Sequence, residues 1–235
     1  MDTLLSVLES AAVLVAGLAV RVGLLLIVLA VLSVPVFLLL TGMKGVDAIR
    51  RRLAGVMRVG RLFWSDRVYY APGHTWIRPM SSQRALIGID DLAQRLLTAP
   101  MGLKLPQAGT AVHAGEPIAE VRTAGRRASI MSPISGVISR VNEAVREDPS
   151  LVHRDPYSRG WLCAVIPADT AFHQLPAGRS AKAWLSSEEH RLSVFYETQL
   201  GVAAADGGDY VEHPPTLLTD DQWRALTHEF LANPS

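Results

Sequence analysis

Arg122, Arg126 and Arg127 crowd one short stretch around Gly125, and no lysine lies beside them. A guanidinium stays protonated at any accessible pH, so these side chains can meet an acidic group but cannot act as nucleophilic amines. The whole chain has only three lysines: Lys44, Lys104 and Lys182. Seven histidines are scattered at His74, His113, His153, His173, His190, His213 and His228. No pair has the i, i+4 spacing of a helical zinc site, and the single cysteine, Cys163, does not supplement them, so no metal ligands are assigned. No Ser-His-acid motif, phosphate-cradling glycine loop or close carboxylate pair stands out, so no catalytic residue is assigned. Nothing in these residues predicts an autonomous enzyme, and a non-catalytic binding or scaffold protein is expected.

Short β-rich runs alternating with turn signals from Arg67 to about Ile166 would position these residues, and they predict a mainly β domain, a sandwich or barrel. Ala85 to Ile89, Leu103 to Leu105, Glu116 to Arg122, Ser129 to Met131, Gly136 to Val141 and Trp161 to Ile166 read as strands. Cys163 falls in the last of these as a small buried residue. Asp90 to Leu97 reads as a short helix that Asp90 or Asp91 can cap. Further on, Ser186 to Glu189 and Thr219 to Gln222 have capping-box spacing, which predicts two C-terminal helices. Gly201 to Pro215 between them reads as a linker. The second helix carries Trp223, Leu226 and Phe230 on one face; so short an element needs something to dock on.

Four blocks stand in order: Tyr70-Ala71-Pro72-Gly73-His74-Thr75-Trp76, Ile87-Gly88-Ile89-Asp90-Asp91-Leu92-Ala93-Gln94, Ser132-Pro133-Ile134-Ser135-Gly136 and Asp155-Pro156-Tyr157-Ser158-Arg159-Gly160-Trp161. Together they resemble the glycine cleavage system H-protein family. The resemblance implies a lipoyl-type flattened barrel, a barrel-sandwich hybrid, with a lipoyl-lysine on an exposed hairpin. In the family that lysine precedes the Ser-Pro-x-Ser-Gly serine by seven residues, which falls here on Gly125. A two-residue shift of the alignment would place it on Thr123, and neither residue offers an amine. The expectation is therefore a degenerate lipoyl position with no cofactor, and a partner-binding loop of Arg122, Arg126 and Arg127. His74 and the Asp155 to Trp161 block are expected to be structural, the latter as a turn followed by an aromatic entering the core.

Val22 to Met43 carries no charge and is long enough to cross a hydrocarbon layer of about 30 Å as an N-terminal transmembrane helix. Lys44, Arg50, Arg51, Arg52, Arg58 and Arg61 follow it, against Asp47 alone, which predicts a single pass with the rest of the chain cytoplasmic. Val46, Ile49, Leu53, Val56 and Met57 recur at helical spacing, fitting either an interfacial helix on anionic lipid or a basic stop-transfer flank. The organisation expected is a membrane segment over 1–43, a basic juxtamembrane stretch over 44–66, the lipoyl-type domain over 67–185 and a helical tail with its linker over 186–235.

The leading expectation is a membrane-anchored binding or assembly subunit without carrier chemistry. Its expected contacts are membrane lipid and a protein partner in a membrane complex, and the near-balanced charge, a formal net of +1, argues against nucleic acid. An alternative is an aminomethyl or lipoyl carrier modified at a non-standard site. A second alternative is a membrane-fusion-type adaptor, in which a helical hairpin splits the two lipoyl halves; Thr123 to Ser129 leaves no room for one.

Overall fold

The computed structural model describes residues 17–18, 20–26, 28–29, 32–33, 55–81, 83–98, 102–123, 125–200 and 218–232. Contacts divide the chain into two units, Met1–Arg50 and Arg51–Ser235. The described residues of the first unit are helical. Among the described residues no helix is long and apolar enough to cross a membrane; of the expected Val22 to Met43 span, residues 27, 30–31 and 34–43 lie outside them.

The second unit is mainly β. Eleven strands are described: β1 Val56–Val59, β2 Leu62–Ser65, β3 Tyr69–Ala71, β4 Thr75–Ser81, β5 Arg84–Ile89, β6 Gly102–Lys104, β7 Ala111–Val112, β8 Pro117–Thr123, β9 Arg126–Met131, β10 Gly136–Val141 and β11 Cys163–Pro167. They form a six-stranded sheet in the order β3-β4-β5-β11-β10-β7, a three-stranded sheet β6-β8-β9, and the separate pair β1-β2. The helices are α1 Asp91–Leu97, α2 Glu143–Glu147, α3 Leu151–Arg154, α4 Gly178–Leu200 and α5 Asp220–Thr227, which runs on into a wider π turn, His228–Ala232.

Alternation builds the sheets. In β8 and β9 the buried side chains Ile118, Val121, Thr123, Ala128 and Ile130 face inward while Arg122, Arg127 and Ser129 face out. At the centre, Trp76 of β4 lies opposite Gly88 of β5. A Cβ at position 88 would meet the indole at 2.3 Å, so only glycine admits the ring, whose Nε1 donates to the Ile89 carbonyl at 2.8 Å. Asp90 caps α1 as expected, its Oδ1 accepting from Ala93 N at 2.9 Å. Cys163 lies buried in β11, and its apolar surroundings push the thiol up to about 12.

Two expectations are corrected. Val56 and Met57 are not helical: they begin a hairpin in which Val56 pairs with Ser65 and Met57 with Trp64. The helix expected from Ser186 begins at Gly178, which places Ser186 in its interior rather than at its cap. The Asp155 to Trp161 block is, as expected, a turn with an aromatic entering the core: Tyr157 is fully buried. Trp161 stays partly exposed beneath the Arg140 guanidinium, 4.9 Å from its ring. Tyr157 Oη donates to the Phe63 carbonyl at 2.9 Å and accepts from Asp91 N at 3.2 Å, joining β2 to α1.

Candidate functional site

The β8-β9 hairpin carries every residue of the expected site. Thr123 pairs with Arg126, and Gly125 lies in the turn between them. Gly125 has φ +79°, a left-handed conformation that costs a residue with a Cβ about 1 kcal/mol or more. Nothing lies within 4 Å of where its Cβ would be. The turn is thus exposed and glycine-adapted.

Arg122 and Arg127 sit directly opposite each other across the hairpin. Such like-charge pairs are unfavourable unless a counter-charge intervenes. Glu120 supplies it, 3.4 Å from Arg122 Nε and 3.9 Å from Arg127 Nε, and Lys104 of the neighbouring edge strand faces the same Glu120. Both arginines are more than half exposed, so these pairs contribute little to stability.

Arg126 is placed differently. Its guanidinium donates to the Leu218 carbonyl, lies 3.2 Å from Asp220 and covers the Trp223 ring at 5.7 Å from the centroid. Trp223 Nε1 in turn donates to the Arg127 carbonyl at 3.2 Å. The surface the second C-terminal helix needs is therefore the arginine hairpin of its own chain. The expected capping box is present: Thr219 Oγ1 accepts from Gln222 N and the Gln222 side chain accepts from Thr219 N. Trp223, Leu226, Phe230 and Leu231 are buried along one face. At its far end the helix approaches Gly73, where an added Cβ would stand 3.0 Å from the Leu231 carbonyl oxygen.

A chain of charges, buried at His74, Asp90 and Glu188 and partly exposed at Arg191, reaches the other side of this helix. His74 adopts φ +56°, and its Nδ1 lies 2.8 Å from Asp90 Oδ2 while Nε2 lies 3.3 Å from Glu188 Oε2. Glu188 also pairs with Arg191 at 2.8 Å, and Arg191 donates to the Glu229 carbonyl and lies 4.7 Å above the Phe230 ring. Burial alone would push His74 down. The Asp90 charge and hydrogen bond, with those of Glu188, overcome it and raise the imidazole to about 9, so it is a buried imidazolium. The structural role expected for His74 thus extends to α4 and the tail.

Glu188, Arg191 and Trp223 were not among the sequence candidates. The first two lie in a helix for which the sequence offered only capping-box spacing, and only the apolar set Trp223, Leu226 and Phe230 signalled a docked face. Among the described residues no group of three or more potential ligands could hold a metal ion.

The residues at the hairpin turn do not fit an amide-linked lipoyl group, because neither Ala124 nor Gly125 has an amine and Arg126 is a guanidinium held by the tail.

Comparison with known proteins follows the same outline. The family description "Glycine cleavage H-protein" matches residues 68–188. A glycine cleavage system H protein of Coxiella burnetii is 37% identical over 102 residues, covering 43% of this chain and 78% of the relative. One from Shewanella sp. (strain ANA-3) is 38% identical over 100 residues, covering 43% and 78%. A probable glycine cleavage system H protein 1 of Saccharolobus solfataricus is 37% identical over 107 residues, covering 45% and 77%. The crystal structure of a glycine cleavage system H protein from Mycobacterium marinum is similar at a TM-score of 0.46 and 28% identity, covering 53% of this chain and 99% of that one. The matched stretch holds the four sequence blocks, the hairpin and His74, while β1, β2 and α5 lie outside it: the chain belongs to the glycine cleavage H-protein family.

Proposed function

We propose that this chain is an H-protein-family binding or assembly subunit, held at a membrane by its N-terminal segment and without lipoyl carrier chemistry. The observation that carries the reading is the hairpin turn: Gly125 in a left-handed conformation and the neighbouring Arg126 bonded to the chain's own tail. A carrier needs a covalent arm because the cofactor supplies the reactive atoms. A turn without an amine cannot form the amide.

Membrane attachment is supported by the uncharged Val22 to Met43 sequence and by Leu24, Leu25 and Leu26, each more than half exposed. Apolar side chains in such a row gain by entering lipid. The one-sided basic flank favours a cytoplasmic domain. Protease added to intact spheroplasts should then leave residues 67–235 untouched, and digestion from outside would overturn the topology. The test of the non-carrier reading is incubation of the full-length chain with a lipoate-attaching enzyme and lipoate, followed by intact mass measurement. No added mass is expected.

One observation favours a carrier with a displaced site: Lys104 is exposed on the edge strand of the hairpin sheet, opposite Glu120. Peptide mapping after the same incubation separates the readings, since lipoate on Lys104 would make the chain a carrier. The adaptor reading has little support, because Thr123 pairs directly with Arg126 and leaves no room for an inserted helical hairpin.

A further inference from the structure

The three-stranded sheet presents one outward face in two rows. Arg122 of β8 stands between Gly102 of β6 and Arg127 of β9; two residues along the same strands, Glu120 stands between Lys104 and Ser129. Lys104, Arg122, Arg127 and Ser129 are exposed. Their inward neighbours Val121, Ala128 and Ile130 are buried, so strand alternation fixes which side chains share this face. Gly102 adds no side chain, and a Cβ there would stand 3.8 Å from the Arg122 stem, so that flank of the guanidinium is open.

Three cations meet one carboxylate here. Arg122 and Arg127 reach Glu120 through Nε at 3.4 and 3.9 Å, and their side chains stay 59% and 68% exposed. Among the described residues Lys104 has no ion pair, and no second acid lies within 4 Å of either arginine. Like charges placed opposite each other across two strands weaken a sheet, and exposed pairs of this kind return little. Arg126, expected to act with them, is taken instead by Asp220 and the Leu218 carbonyl. The oxygens that one guanidinium of this hairpin already holds are thus protein oxygens.

We propose that this face docks an acidic segment of a partner protein, with Arg122, Arg127 and Lys104 binding its carboxylates and Glu120 serving as the internal counter-ion that they replace. This rests on the reading of the chain as a binding subunit. A contact outside the fold explains why cations that weaken the sheet are gathered on its open side. A guanidinium offers a planar fork of donors that matches a carboxylate with two parallel bonds. The two rows lie two residues apart along a strand, about 6.6 Å, which is also the repeat of alternate side chains in an extended segment. One partner carboxylate therefore falls between Arg122 and Arg127 and the next beside Lys104.

The probe is a labelled hexaglutamate peptide, added to the full-length chain in uncharged detergent at low salt, where such contacts are least screened. Arg122→Ala with Arg127→Ala should bind it at least tenfold more weakly than wild type. Glu120→Gln, which removes the competing charge, should bind it at least threefold more tightly. Arg179→Ala with Lys182→Ala takes the same charge from exposed positions on α4 and should change binding less than twofold. Equal loss in the two double variants, or no gain in Glu120→Gln, would overturn the proposal. Should the hairpin variant fail to fold, wild type decides: carbodiimide coupling of the bound peptide should fall on Lys104, and coupling spread evenly over Lys44, Lys104 and Lys182 overturns it. Soluble short-chain phosphatidylglycerol that binds the arginine pair more tightly than the peptide does would assign the face to lipid headgroups and overturn the partner reading. Lipoate attachment is scored on the same samples: uptake with peptide binding as expected overturns the non-carrier function alone, and no uptake with no peptide binding overturns the docking face alone.

Discussion

The Arg126 guanidinium of the hairpin lies 3.2 Å from the Asp220 carboxylate at the start of the C-terminal helix. Arg126 is the less exposed partner, at 18% against 87%, so the ion pair marks where the helix begins rather than what holds it. The holding contacts are the buried indole of Trp223 under the guanidinium and the Leu218 carbonyl that accepts from it.

Asp220→Ala should therefore change stability by less than about 0.5 kcal/mol, as exposed pairs do. Trp223→Ala should cost about 3 kcal/mol of tail docking, because a buried indole and its hydrogen bond to Arg127 are both lost. Limited proteolysis of residues 218–232 compares the two, and equal effects would mean that the ion pair dominates.

His74 predicts how stability depends on pH. Its folded value, about 9, lies above its ordinary 6.5, so the folded state binds its proton more tightly than the unfolded chain. The stabilisation is complete below about pH 6.5 and is lost as pH rises through about 9. At roughly 1.4 kcal/mol per pH unit it amounts to about 3 kcal/mol. Urea midpoints at pH 6.5, 8 and 9.5 should fall in that order in wild type and more weakly in Asp90→Asn. A flat wild-type profile would contradict the buried imidazolium.

Glu188 is shared between His74 and Arg191. Glu188→Ala leaves two cations facing each other without their common anion and should cost about 3 kcal/mol. Glu188→Gln should cost less, since the amide oxygen still accepts from Arg191. Denaturant unfolding of the two variants gives the order, and equal loss would show that packing rather than charge is at stake.

At the turn, Gly125→Lys should lower stability by about 1 kcal/mol, because a Cβ disfavours φ +79°. Space is not the obstacle, as the position is open. A thermal melt of the variant against wild type tests this, and an unchanged midpoint would mean that the turn readily accepts another conformation.

Local chemistry was legible in the sequence. The Asp90 and Thr219 caps depend on neighbours within three residues, and the β-rich runs marked the Gly136–Val141 strand and the strand in which Cys163 is buried. What the sequence did not disclose depends on partners far along the chain. Val56 and Met57 fell by chance on a helical apolar spacing, and pairing with Trp64 and Ser65 decides their strand. Ser186 resembles a cap but lies inside a helix that starts earlier, at Gly178. The contacts that define the site, Arg126 with Leu218, Trp223 with Arg127 and His74 with Glu188, join residues about a hundred positions apart. No periodicity records such pairs.

The central claim is that the chain carries no lipoyl arm, and intact mass is its most direct measurement. Wild-type chain incubated with lipoate and a lipoate-attaching enzyme should keep its unmodified mass while an H protein in the same tube is modified; lipoate found on the wild-type chain, wherever it maps, would contradict the account.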